Sequence, residues 1–183
     1  MDVSIRDSTP EDAAAIFDLR CDPRLSGSQY APFVFESPMT LFDTIAPGSD
    51  IPRNGLMCST IIVDDTFAGH IFHRYRTTSG NIQLSTLGWN VIPELWGNGV
   101  APTAVRQLIN ERFKSNENIV FSTFCFPSNK RCIRVLEKLN FDECQTLWRE
   151  RAGNYIMTLG RKKLLKFTLT FGDWRSATPP IDG

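Results

Sequence analysis

The sequence predicts an α+β domain: a mixed, mostly antiparallel sheet with helices packed against it. Three stretches predict it. Residues 56–92 hold three strand-like runs separated by short acidic or glycine turns, which is the pattern of an antiparallel meander. Residues 87–110 then read as a strand, a tight glycine turn and an amphipathic helix. Residues 119–126, Ile-Val-Phe-Ser-Thr-Phe-Cys-Phe, form a dense apolar run suited to a central strand buried on both faces. A strand–helix–strand unit of this kind makes its two strands parallel, with a right-handed crossover.

The elements follow in order. Val3 to Arg6 suits a short strand. Thr9-Pro10-Glu11-Asp12 is a helix start, with a hydroxyl at the cap, proline at the first helical position and acids in the first turn. Ile16, Phe17 and Leu19 supply that helix's buried face, and Asp22-Pro23 ends it. Residues 25–54 are irregular and proline-rich but carry Tyr30, Phe33, Phe35, Met39, Leu41 and Phe42. A short helix over 38–45 capped by Ser37 fits inside them. Such a loop either folds back as a lid on the core or lines a pocket, and the sequence leaves both open. The meander takes residues 56–63, 67–76 and 82–92. After the glycine turn, Ala101, Ala104, Val105, Leu108 and Ile109 recur at helical spacing.

Beyond the apolar strand, Pro127-Ser128-Asn129 caps a helix over 130–139 whose stripe is Ile133, Leu136 and Leu139. Asn140, tolerant of left-handed backbone, ends it. Residues 144–151 and 155–159 read as two strands around a turn at 152–154. A further alternating run at 164–171 suits an extra strand before a loose end at 176–183. The reading divides the chain into a domain of residues 1–160 and an extension of 161–183.

Composition narrows the function. A chain of 183 residues suits one domain and can bury roughly 70% of its unfolded surface. Lys plus Arg and Asp plus Glu both number 20, which leaves no global field to draw in nucleic acid or anionic lipid. No apolar run approaches the roughly 20 residues needed to span a bilayer, and the start lacks a secretion signal's basic and apolar regions. Five widely spaced cysteines without a Cys-x-x-Cys pair fit reduced thiols in a cytoplasmic protein. His70 and His73, the two histidines, face opposite sides of a strand, so a metal site is not expected.

Two motifs carry chemistry. Gly97 and Gly99 free the backbone of side chains just where a helix begins, and unpaired N–H groups there, with the positive end of the helix dipole, form a seat for phosphate. A glycine turn alone is a weak signal, but it acquires a partner in Asn129-Lys-Arg-Cys-Ile-Arg-Val-Leu-Glu-Lys-Leu-Asn-Phe141.

With these two segments and Ile5-Arg6…Thr9-Pro-Glu-Asp12, the chain resembles the GNAT superfamily of acyl-CoA-dependent N-acetyltransferases, nearest the branch that includes the ribosomal-protein N-terminal acetyltransferases. The likeness covers residues 3 to about 160. It implies that the strands before and after the glycine-turn helix part like a V to hold the pantetheine of acetyl-CoA. Amides of Gly97, Asn98, Gly99, Val100 and Ala101 would hold its pyrophosphate. Backbone groups of Trp89, Asn90, Val91 and Ile92 would meet the pantetheine amides and thioester carbonyl, and Asn129 would face the pantetheine arm. No metal is implied.

Two positions depart from the family pattern. Trp96 stands where Gln or Arg is usual, and Cys132 stands where relatives carry a serine that serves the departing thiolate. A thiol is a weaker donor than a hydroxyl. At a helix N-terminus its pKa is expected to fall, giving a reactive thiol, while a small buried residue is the plainer account.

The implied reaction is direct attack of a primary amine on the acetyl carbonyl in a ternary complex. Keeping an α-amine neutral at pH 7 costs on the order of 1 kcal/mol, and a lysine amine nearer 4 to 5. Glu150 is the first candidate base, with Glu94 and Glu36 behind it, against a plain surface role for Glu150. Tyr155 or Tyr30 could return a proton to the thiolate. The acceptor stays open between a protein or peptide α-amine and a small amine. A non-catalytic acyl-CoA-binding regulatory module is the alternative from another class, and exposed sheet edges would allow a homodimer.

Overall fold

The computed structural model describes residues 1–25, 37–38, 56–77, 82–148 and 163–177. Strand β1 (Val3–Asp7) leads through a 3-10 turn at Pro10–Asp12 into helix α1 (Ala13–Cys21). Strands β2 (Leu56–Val63), β3 (Thr66–Thr77) and β4 (Gln83–Val91) follow, then α2 (Val100–Ser115) and β5 (Ile119–Cys125). Helix α3 (Lys130–Lys138), strands β6 (Asp142–Trp148) and β7 (Lys163–Leu169) and helix α4 (Phe171–Ala177) complete the described elements. The seven strands form one sheet in the order β1-β2-β3-β4-β5-β7-β6. β4 and β5 are parallel and every other pair is antiparallel. This is the predicted mixed α+β architecture.

Local chemistry explains the joints. Asp64 and Asp65, both left-handed at φ 47° and 63°, make the two-residue turn between β2 and β3 that matches the strands' twist. Asn140, at φ 57°, lets the chain leave α3, and Phe141 N–H returns to the Leu136 carbonyl at 3.0 Å. The helical stripe on α2 is buried at Ala104, Val105, Leu108 and Ile109, and Phe113 extends it by a turn. These residues pack on Ile61, Ile71, Leu87 and Phe121 from the sheet. On the sheet's other face, Ile16 of α1 meets Cys58 and Phe72.

Three details depart from the sequence reading. β5 buries alternate residues, Ile119, Phe121, Thr123 and Cys125, and leaves those between half-buried, so only one face is fully covered. The strand read at 164–171 ends at Leu169 and lies inside the sheet, between β5 and β6. After it the chain forms α4, over residues that the reading left without an element between the strand and the end at 176–183. Thr170 and Asp173 cap that helix reciprocally, with Thr170 N–H on Asp173 Oδ2 at 3.1 Å and Asp173 N–H on Thr170 Oγ1 at 3.3 Å. Trp174 then docks on α2, donating to Asn110 Oδ1 at 2.9 Å. The short helix at 38–45, the strand at 155–159 and the aromatic loop lie outside the described residues, apart from Ser37 and Pro38.

A polar knot ties the N-terminal elements together. Arg6 grips the buried Asp12 carboxylate with two N–H bonds of 2.7 and 2.8 Å. Thr9 N–H and Thr60 Oγ1–H reach the same carboxylate at 2.8 and 2.9 Å. Burial by itself would raise the Asp12 carboxyl, but these donors outweigh it and hold the group below the usual carboxylate range. Its contribution to stability is therefore complete above pH of about 4 and fades as pH falls through the lower folded-state value. Asp12→Ala should cost about 2 kcal/mol of unfolding free energy near pH 7. The difference from wild type should shrink towards pH 3 in urea melts.

Candidate active site

The site begins where two strands part. β4 and β5 pair from Gln83↔Ile119 to Leu87↔Thr123 and no further. Beyond that point residues 88–91 pair only with β3, while Phe124 and Cys125 pair only with β7. Thr123 Oγ1–H donates to the Leu87 carbonyl at 2.9 Å, closing the apex of the fork inside the core. Among the described residues no strand lies between the two arms.

Helix α2 opens at the same end of the sheet as those arms. Gly97 and Gly99 adopt φ of 85° and 80°, the left-handed region where a Cβ is strained, and Gly99 is the cap residue. No side chain caps this helix start. The first helical bond runs from Thr103 N–H to the Gly99 carbonyl at 3.2 Å, and Pro102 has no N–H to give. Asn98 N–H is directed at the Leu95 carbonyl at 3.4 Å. Among the described residues, the amides of Gly97, Gly99, Val100 and Ala101 have no protein acceptor. Four such donors with a helix dipole behind them suit a diphosphate.

Trp96 and Arg131 brace this turn. Trp96 Nε1–H donates to the Val91 carbonyl at 2.7 Å, tying the end of β4 to the glycine turn. The Arg131 guanidinium lies 4.2 Å from the centroid of the Trp96 ring, joining the first turn of α3 to it. Arg131 escaped the sequence reading, because a cation in a helix's first turn carries no local signal of what it stacks on.

The sequence profile described as Acetyltransferase (GNAT) domain matches residues 2–142. The chain belongs to the GNAT acetyltransferase family. No curated protein sequence matches it. Among solved structures, the ribosomal-protein-S5-alanine acetyltransferase of Vibrio fischeri is similar with a TM-score of 0.70 at 17% identity, over 96% of this chain and 94% of that one. RimJ of Mycobacterium smegmatis, solved with CoA-disulfide, gives 0.74 at 18% identity, over 92% and 81%. AAC(6′)-Ib, solved with ribostamycin and coenzyme A, gives 0.76 at 14% identity, over 98% and 99%. At these identities the likeness is one of fold. The family is acetyl-CoA-dependent, and a fork running to four unpaired amides is a fitting receptacle for that co-substrate.

Within this GNAT fold the remaining sequence-derived residues fall as follows. Trp89, Asn90 and Val91 form the free arm of β4, and Ile92 follows with its N–H on the Ala68 carbonyl at 2.9 Å. Asn129 caps α3, its Oδ1 accepting Cys132 N–H at 3.1 Å. The Cys132 thiol is hydrogen-bonded to the thiol of Cys125 at the end of β5, and that bond together with burial keeps its proton on well above the ordinary thiol range. The lowering expected at a helix N-terminus does not prevail, because the neighbouring sulfur and the apolar surroundings both disfavour a charge on Cys132.

Glu94 is exposed and paired to Arg24 at 2.7 Å, and that bond lowers its pKa, which makes it a poor base. Glu150, Tyr155, Glu36 and Tyr30 lie outside the described residues. Among the described residues no set of three His, Cys, Asp or Glu converges as metal ligands, and no helix is long and apolar enough to cross a membrane.

The histidines lie on β3 facing opposite sides of the sheet, and both are fully buried. Burial, with Arg112 nearby, pushes His73 down to about 3. Burial, with Arg20 nearby, keeps His70 neutral as well. Neither becomes an imidazolium at neutral pH.

Gly99→Ala would force an alanine into the left-handed region at a cost of about 1–2 kcal/mol. The turn should relax away from the geometry that aims its amides together. CoA affinity measured by calorimetry should fall about tenfold, with far-UV circular dichroism unchanged.

Proposed function

We propose that the chain transfers the acetyl group of acetyl-CoA to a primary amine, by direct attack in a ternary complex, with a peptide or protein α-amine as the first acceptor class to test. The observation that carries the reading is the fork at Leu87 and Thr123 running to the unpaired amides of Gly97, Gly99, Val100 and Ala101. Acetyl-CoA supplies an activated thioester. The amine nitrogen bonds to the acetyl carbon as the carbon–sulfur bond breaks, the nitrogen loses its proton, and the departing thiolate gains one.

Cys132 is proposed as the donor of that last proton. The reading is supported by its place in the first turn of α3, in the position of the family's serine. Glu150 and Tyr155 remain proposed as base and auxiliary donor, on sequence grounds alone. The α-amine is preferred because its neutral form is accessible at pH 7 for on the order of 1 kcal/mol, so little base strength is required of the protein. A cytoplasmic location and a homodimer across a sheet edge belong to the same proposal.

The test is release of free CoA from acetyl-CoA with a panel of peptides, polyamines, aminoglycosides and amino acids. Turnover with at least one member is expected. Tight CoA binding with no turnover across the panel would favour the regulatory acyl-CoA-binding module instead. Cys132→Ala should lower kcat about 10- to 100-fold while leaving the KM for acetyl-CoA within a few-fold, and Cys132→Ser should retain most of the rate. Equal loss in both variants would remove the thiol from the mechanism. Glu150→Gln should flatten the acid limb of the kcat/KM profile if that carboxylate is the base.

A further inference from the structure

Two helices start beside the glycine turn. Strands β4, β5 and β6 run in the same direction, and α2 and α3 each return from the end of one strand to the start of the next. The two helices are therefore parallel, and both bury side chains in the same core, Val105 and Leu108 from α2 and Leu136 and Leu139 from α3. Their contacts follow that order. Trp96, just ahead of α2, meets Arg131 in the first turn of α3, and Arg106 of α2 donates to the Lys138 carbonyl at the end of α3 at 3.1 Å. The first turn of α3 thus forms the second wall of the turn that carries the unpaired amides.

That turn has donors but lacks charge. The diphosphate of a CoA carries a negative charge on each phosphate group. Against it stand the amides of Gly97, Gly99, Val100 and Ala101, all neutral, and a helix end equivalent to roughly half an elementary charge. Glu94, two residues before Trp96, adds a carboxylate close by in sequence. Arg24 is shared between it and Asp22, at 2.7 and 2.6 Å, which still leaves that group net negative. Trp96 cannot donate to a phosphate, since its one polar hydrogen, on Nε1, is spent on the Val91 carbonyl.

Arg131 is placed to make up the deficit. Its guanidinium lies 4.2 Å from the Trp96 ring centroid, the residue is exposed, and among the described residues it has no carboxylate partner. A guanidinium is charged throughout the working pH range and has no tautomer to assign. Stacking on the indole uses its face and leaves its N–H donors free in the plane, a geometry that matches phosphate oxygens. We propose that Arg131, held on the Trp96 ring, is the charged ligand of the co-substrate's diphosphate, with Trp96 as the residue that positions it. The inference rests on the acetyl-CoA reading above and deepens it.

The test compares three co-substrates with the full chain. Calorimetry gives the affinities for CoA and for dephospho-CoA, which keeps the diphosphate and lacks the 3′-phosphate. Kinetics give kcat/KM for S-acetylpantetheine, which carries no phosphate. Arg131→Ala should weaken CoA and dephospho-CoA alike, each about tenfold. It should leave kcat/KM for S-acetylpantetheine within about twofold. Arg131→Lys keeps the charge without the planar fork and should recover part of the affinity. The calorimetric comparison carries the test by itself where no acceptor turns over.

A loss confined to CoA would move Arg131 to the 3′-phosphate and overturn the diphosphate assignment. Unchanged affinities in Arg131→Ala, or an equal loss with S-acetylpantetheine, would overturn it as well. All three outcomes leave the acetyl-transfer reading intact. Failure of the wild-type protein to bind CoA overturns both.

Discussion

The hydrogen bond from the Thr123 hydroxyl to the Leu87 carbonyl marks the point on which the rest of the site depends. Up to it, β4 and β5 are ordinary parallel partners; past it, each must satisfy its backbone elsewhere. β4 does so on β3, where Gly69 lets the strands approach so closely that a Cβ there would overlap the Asn90 carbonyl oxygen. β5 does so on β7, which continues the pairing through Phe124 and Cys125. The walls of the gap are thus held from outside by their far neighbours. Their inner edges can face a substrate without the strands losing their ladders.

That dependence gives the C-terminal stretch a structural meaning. β7 is seated between β5 and β6, so it supplies one side of the brace that keeps the fork open. α4 anchors it from beyond: Trp174 packs against Phe113 and lies under Arg106 of α2, whose guanidinium is 5.2 Å from the Trp174 ring centroid. Residues more than sixty positions apart in sequence therefore meet on the helix that follows the glycine turn.

What could be read in advance was local. The α2 stripe, the left-handed glycines before it, the Asp64–Asp65 turn and the Asn129 cap all depend on neighbours within a few residues. Period and turn chemistry express such features directly. The position of β7 depends on a partner some forty residues away, and an alternating pattern names a strand without naming its neighbour. α4 was legible in principle, since Thr170-Phe-Gly-Asp173 is a capping sequence, but the alternation before it drew the strand too far. The stacking of Arg131 on Trp96 and the pairing of Asn90 with His70 had no local trace. Cys132 was found by its place in a motif, yet the direction of its titration depended on Cys125 across the turn.

The same distinction separates the two substrates. A diphosphate is recognised by backbone amides and a helix dipole, features that a short glycine-containing stretch encodes almost by itself. An amine is recognised by side chains that converge from different strands and helices, and by how much basicity the surroundings require of it. Asp12 and Glu94 are already engaged, one inside a structural knot and the other in an exposed ion pair, and both are held as carboxylates by their arginines. A carboxylate so stabilised is a weak acceptor of a proton. An α-amine, with a reference pKa of about 8, asks less base strength of a protein than a lysine amine at about 10.4.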